Sequence, residues 1–146
     1  ELELLHKTGV QSVDISSISK SVAGRTAINR HITDMVSKAK TKVDIATTQQ
    51  HMERMAKLLK NFMPNFGKKG IKAKLYSVND KSILKKLHNI EHVEYNANSN
   101  FVTIDGKEML FMVSNEKVAP DYEVAIWINS PFFVNAVNVL FSESLR

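Results

Sequence analysis

The feature that most constrains the fold is a repeated change of hydrophobic period between Gly24 and Val78. After Gly24, the residues Ile28, Ile32, Met35, Val36 and Ala39 recur at helical spacing, while Arg25, Arg30, Asp34 and Lys38 fall elsewhere. The run Lys42 to Thr48 (KVDIATT) drops that period and reads as a compact, β-branched buried strand. Helical spacing returns from Gln49, with Met52, Met55, Ala56, Leu59, Phe62 and Met63 on one stripe. Pro64 disturbs this second helix, and Gly67 and Gly70 end it. Ile71 to Val78 is the next strand, with Lys72 and Lys74 alternating outward, and Asn79 or Asp80 can cap a short helix through Leu87.

The second half is dominated by strands. Val93 to Asn96, Phe101 to Ile104, Met109 to Val113 and Val124 to Ile128 carry strand patterns, and Asp105-Gly106 is a strong hairpin signal. Ser130 and Pro131 open a last helix whose expected core face is Phe133, Val134, Val137, Leu140 and Phe141. Strand and helix alternate, then strands cluster, then one helix closes the chain. This order predicts an α/β domain with a mixed β-sheet sandwiched by helices. At the start, Glu1 to Lys7 reads as a helical end before Gly9, and Val10 to Ser21 as a short strand plus loop. The expected organisation is therefore a linker end and lead-in over residues 1–22 and one domain over 23–146. A chain that opens on Glu1 reads as part of a longer protein.

Composition removes several kinds of chemistry. The chain has no cysteine, so it has no thiol nucleophile and no cysteine-ligated metal. That fits a cytoplasmic protein. No apolar run is long enough to cross a membrane. The net charge of +5 gathers partly at Lys68, Lys69, Lys72 and Lys74, and partly at Lys81, Lys85 and Lys86. Without an arginine-rich arm or interleaved aromatics, these read as solvated lysines around a turn and a surface helix. Of the five histidines, none forms a metal-ligand pair, so neither a metal nor a cofactor is expected. His51 follows a strand end, where ligand-facing residues often sit in α/β folds. Its plainer reading is a solvent-facing histidine at a helix N-terminus.

The segment Asn98-Ser99-Asn100-Phe101-Val102-Thr103-Ile104-Asp105-Gly106, continuing to Ser114-Asn115, resembles the phospholipase D superfamily. That signature is His-x-Lys-x-x-x-x-Asp on a strand and hairpin, followed by a Ser and an Asn. Asp105 fits the aspartate, and Ser114-Asn115 resembles the downstream pair. Asn98 stands at the histidine and Asn100 at the lysine. An amide nitrogen has its lone pair delocalised into the carbonyl and is not a nucleophile, and a neutral Asn cannot supply the lysine's charge. The residues two places after each histidine are Thr8, Thr33, Glu53, Ile90 and Glu94, so no other His-x-Lys exists. The resemblance therefore implies a domain that is not an enzyme.

The glycine, helix and strand over Gly24 to Thr48, the strand at Gly70 to Leu75, and Ala125 to Pro131 are similar to one branch, the TrmB-like archaeal transcription regulators. That resemblance implies an effector domain in a homodimer, with a small polar ligand held near Asn98, Asn100, Asp105, Ser114, Asn115 and His51. It also implies DNA binding through a winged helix upstream of Glu1, because Ile28 to Ala39 is one long helix without a tight turn. The alternative is a phosphodiesterase or nuclease of the superfamily with a non-standard nucleophile. It predicts His51 beside Asp105, with Lys72 or Lys74 in the same pocket. A third reading is a dimerisation module without a ligand.

Overall fold

The computed structural model describes residues 15–145, so the helical end expected over Glu1 to Lys7 lies outside the described residues. The elements in chain order are α1 (Ile15–Ile18), β1 (Ser19–Ala23), α2 (Arg25–Ser37), β2 (Lys42–Ala46) and α3 (Gln49–Leu59). A 3-10 turn (Lys60–Phe62) follows, then α4 (Met63–Lys69), β3 (Lys72–Ser77), α5 (Lys81–Leu84) and β4 (Glu91–Glu94). The chain continues as β5 (Phe101–Ile104), β6 (Glu108–Met112), a second 3-10 turn (Pro120–Tyr122), β7 (Val124–Asn129) and α6 (Pro131–Ser144).

The seven strands form one sheet in the order β1-β7-β6-β5-β2-β3-β4. Strands β2, β3 and β4 are parallel, whereas β5, β6, β7 and β1 pair antiparallel. The expected mixed sheet between helices is thus the architecture found. The strand plus loop expected over Val10 to Ser21 needs correction among the described residues: α1 comes first, and β1 (Ser19–Ala23) follows as an edge strand of this same sheet, paired with β7.

Side-chain alternation along the strands divides the core in two. Val43, Ile45, Leu75, Val102, Ile104 and Leu110 face α2, α3 and α4. Ala46, Phe101 and Met109 face the opposite way and pack on Val134 of α6. Ile28, Ile32 and Met52, placed by the helical period, are at most 1% exposed.

Local chemistry explains most boundaries. Asp105 and Gly106 both take positive φ, and the Lys107 N–H donates to the Ile104 carbonyl at 2.9 Å, which closes the hairpin. Asp80 caps α5 by accepting from the Ser82 N–H, and Ser130 caps α6 by accepting from the Phe133 N–H. Two further expectations need correction. Gly67 does not end the second helix: the break comes earlier, at the 3-10 turn before Pro64, and the chain runs helically through Gly67 to a left-handed Gly70. The last helix also does not bury its whole apolar face. Phe133 is 43% and Leu140 70% exposed, because one α-helix covers only a strip of a seven-stranded sheet.

Candidate functional site

At the end of β2, opposite the hairpin turn, three connecting segments surround an open cleft of about 720 Å³. Thr48 and Gln50 contribute the start of α3, Ala97 to Asn100 the lead into β5, and Met112 to Lys117 the exit from β6. Ligands in α/β sheets bind beyond strand ends, where connecting segments rather than ladder bonds set the shape.

Asn100 is 5% exposed, and both ends of its amide are hydrogen-bonded. Its Oδ1 accepts from the Thr48 N–H at 2.9 Å and from the Thr47 hydroxyl at 3.2 Å. Its Nδ2 donates to Glu116 Oε1 at 3.2 Å. Thr48 is the N-cap of α3 but makes no capping bond with its side chain; its hydroxyl donates to the same Glu116 oxygen. The strand end, the helix start and the loop after β6 are therefore held by one buried amide and one carboxylate.

Asn98, Asn100, Ser114 and Asn115 all line this cleft. Ser114 Oγ accepts from the Val124 N–H at 3.1 Å, and Asn115 Oδ1 accepts from the Lys117 N–H at 2.9 Å. Asn98 is exposed, and its side chain makes no hydrogen bond among the described residues. The cleft is thus a set of amide and hydroxyl groups around Glu116, with Lys117 also lining it.

Asp105 is not in this group. The pairing of β2 with β5 carries it to the other end of the sheet, where its Oδ1 accepts from the Thr41 N–H at 2.8 Å and the Lys42 N–H at 3.0 Å. Oδ2 accepts from the Lys40 N–H at 3.0 Å. Partial burial pushes the pKa of this carboxyl up, but the backbone donors outweigh that and hold it below the ordinary value.

His51 does not face solvent: it is 8% exposed, and its Nδ1 lies 3.3 Å from Arg54 Nη1. Burial, reinforced by the Arg54 charge, lowers its pKa against the opposing pull of Glu116 and Glu123, so the ring is neutral at pH 7. His51 and Asp105 lie at opposite ends of β2, and the Lys72 and Lys74 side chains border a separate slot beside α6.

Glu116, the Thr47-Thr48 pair and Glu123 were not singled out from sequence. Glu123 is 3% exposed and lies between two arginines. Its Oε2 accepts from Arg25 Nε at 3.1 Å, Arg25 Nη2 at 2.6 Å and Arg54 Nη1 at 3.1 Å, while Oε1 lies 3.0 Å from that Nη1. Arg54 Nε also donates to Asn29 Oδ1 at 2.9 Å. The adjacency of Glu116 to Ser114-Asn115 was the available signal for the first. Nothing local marks Glu123, whose partners are 69 and 98 residues away.

No family model and no curated protein sequence matches the chain. Solved structures do. The chain is similar to TrmBL2, described as an archaeal chromatin protein with a novel mode of DNA binding. The TM-score is 0.67 at 18% identity, over 98% of this chain and 57% of that one. It is also similar to NucT from Helicobacter pylori, with a TM-score of 0.62 at 17% identity over 86% and 94% of the two chains. Nuc from Salmonella typhimurium, a phospholipase D family member, gives 0.56 at 13% identity over 86% and 93%. These likenesses show a phospholipase D-like α/β fold. The chain spans little more than half the length of the TrmBL2 structure. Among the described residues no helix is long and apolar enough to cross a membrane.

Proposed function

We propose that this chain is a non-catalytic effector and dimerisation domain of a transcription regulator, and that it senses a small polar ligand in the cleft. The observation that carries this reading is the state of Asn100. At the position of the signature lysine, a neutral amide is buried against a carboxylate, Glu116, instead of offering positive charge to a phosphate. A donor- and acceptor-rich cleft around one carboxylate suits a neutral, hydroxyl-rich molecule better than a phosphodiester. Asn98, Asn100, Ser114 and Asn115 are its proposed contacts. Asp105 is proposed as the clamp of the β2–β5 end, and His51 as a buried packing residue in the first turn of α3.

The similarity to TrmBL2 supports a place in a DNA-binding regulator, with a linker end and lead-in before the sheet begins at β1 and a winged helix upstream. Such a domain signals only if its ligand binds two dimer arrangements unequally. The outer face of α6 supports a homodimer: Phe132 is 89% exposed, Leu140 70% and Val139 54%. Sedimentation velocity is expected to show a dimer, and Leu140→Glu is expected to shift it toward monomer. A wild-type monomer at tens of micromolar would refute this element.

The ligand reading is tested with two probes on the same protein. A panel of neutral mono- and disaccharides is expected to include one that raises the melting temperature in a saturable way, with the rise lost in Asn98→Ala. Bis(p-nitrophenyl) phosphate is expected to give no turnover above buffer. Sustained turnover would favour the phosphodiesterase alternative, and turnover abolished by His51→Ala would identify its nucleophile. No response to any sugar would favour a dimerisation module.

A further inference from the structure

The topology that builds the cleft also gathers positive charge at the opposite end of the sheet. Strands β2 and β3 are parallel and in register from Lys42↔Lys72, so both begin at this end. Helix α4 finishes here at Lys68 and Lys69, Lys40 sits in the link into β2, and Lys107 lies in the β5–β6 turn. Local bonds fix these placements. Asp105 accepts from the Lys40 and Lys42 N–H groups, and the Lys72 N–H donates to the Thr41 carbonyl at 2.9 Å. All six of these lysines are exposed, and none has a carboxylate partner within 4.0 Å among the described residues. What reads in sequence as scattered lysines is in space one rim, about 20 Å from Thr48 along β2 at ~3.3 Å per residue.

The nearby acids do not cancel this rim. The carboxylate of Asp105 is saturated by backbone donors, and Glu108 accepts from the Trp127 indole N–H at 2.9 Å. Glu91 pairs in register with Lys74, further along the sheet. Asp44 lies in a slot of about 210 Å³ between Lys42, Lys72, Lys74 and the end of α6. Burial raises its pKa despite Lys42 and Lys74, and a carboxylate there opposes an anion entering the slot. Exposed lysines around a slot lined by its own carboxylate do not form an enclosed site for one phosphate. They suit a ligand with repeating charges that lies across the rim; the exposed apolar side chain beside them among the described residues is Leu145, 38% exposed at the slot, and one such side chain is no apolar face for a membrane.

We propose that the lysine rim at the start of β2 and β3 binds the phosphate backbone of duplex DNA without sequence preference. This surface is separate from the cleft and does not depend on its ligand. Each neutralised phosphate releases counterions and adds about 0.9 to the slope of log affinity against log salt.

The test is fluorescence anisotropy with a random-sequence 30-base-pair duplex between 50 and 200 mM salt. Binding is expected at 50 mM salt. Lys69→Glu/Lys72→Glu/Lys107→Glu is expected to weaken it at least tenfold and to reduce the slope by roughly 2 to 3. The neutral Lys69→Gln/Lys72→Gln/Lys107→Gln variant, with wild-type melting, is expected to weaken binding in the same direction. Lys81→Glu/Lys85→Glu/Lys86→Glu changes net charge equally but acts near the other end of β3, and it is expected to stay within twofold of wild type. Equal losses in the two glutamate triples would reduce the effect to net charge and overturn the proposal. Absence of duplex binding by the wild type, with or without binding to phosphatidylserine vesicles, would overturn it as well.

Discussion

Replacing Glu123 with alanine lowers stability by about 3–5 kcal/mol, the range for removing one partner from a buried ion pair. The loss comes less from the attraction than from the orphan it leaves. The Arg54 side chain is 13% exposed, and its Nη2 is already buried without a hydrogen-bond partner. Arg25 is 40% exposed and can turn to water, so it adds less. Arg54→Leu/Glu123→Leu is therefore expected to be less damaging than Glu123→Ala alone, because it removes the orphan with its partner. Urea denaturation distinguishes these outcomes, and equal stability of Glu123→Ala and wild type would refute the account. The pH dependence has a definite sign. Burial pushes the Glu123 pKa up, but the bonds and charges of Arg25 and Arg54 depress it overall. Its stabilising contribution is complete above the ordinary carboxylate value and is lost as pH falls through the depressed one. Glu123→Gln should flatten that acid limb.

The second large effect is expected at Asp105. Alanine there removes the acceptor shared by the Lys40, Thr41 and Lys42 N–H groups and leaves a non-glycine residue at φ 55° without a side chain suited to it. The expected cost is about 2–3 kcal/mol, or a fall in melting temperature of about 6–10 °C for a domain of this size. Asp105→Asn tolerates the left-handed backbone and keeps one acceptor oxygen, so it is expected to recover about half of the loss. The Asp105 pKa is also depressed, so its share of stability likewise disappears on acidification. Asp105→Asn should lose that dependence, and an unchanged acid transition in the variant would contradict the assignment.

The fold was largely legible in the chain because its signals are local. The period of Ile28, Ile32, Met35 and Val36, the β-branched run after Lys42, the Asp105-Gly106 turn and the Ser130 cap each act within a few residues. The site was legible only in part. Asn98, Asn100, Ser114 and Asn115 do meet, but the signature spacing grouped Asp105 with them, although a strand separates the two ends. A four-residue strand carries its first and last residues to opposite edges of a sheet, so proximity in sequence is misleading there. Long-range pairing also decided what was missed. The bonds that hold buried Glu123 depend on Arg25 and Arg54 arriving from other elements. The exposed face of α6 was misjudged because an apolar stripe specifies which side seeks cover, and not how much cover the sheet provides.

Strand β5 is fastened to β2 twice by side chains, at one end through Asn100 to the Thr48 N–H and at the other through Asp105 to the Lys40, Thr41 and Lys42 N–H groups. Two fasteners on one pair of strands prevent it from slipping in register or splaying. The centre of the sheet is therefore a stiff beam, and strain introduced at the cleft must be released elsewhere. The stretch from Val113 to Lys117 is joined to the beam on the cleft side by the Glu116 carboxylate, and its first two residues are tied to Val124 of β7. A molecule that competes for that carboxylate would free a lever on a fixed fulcrum, and amide exchange would quicken along the lever while β2 and β5 stayed protected.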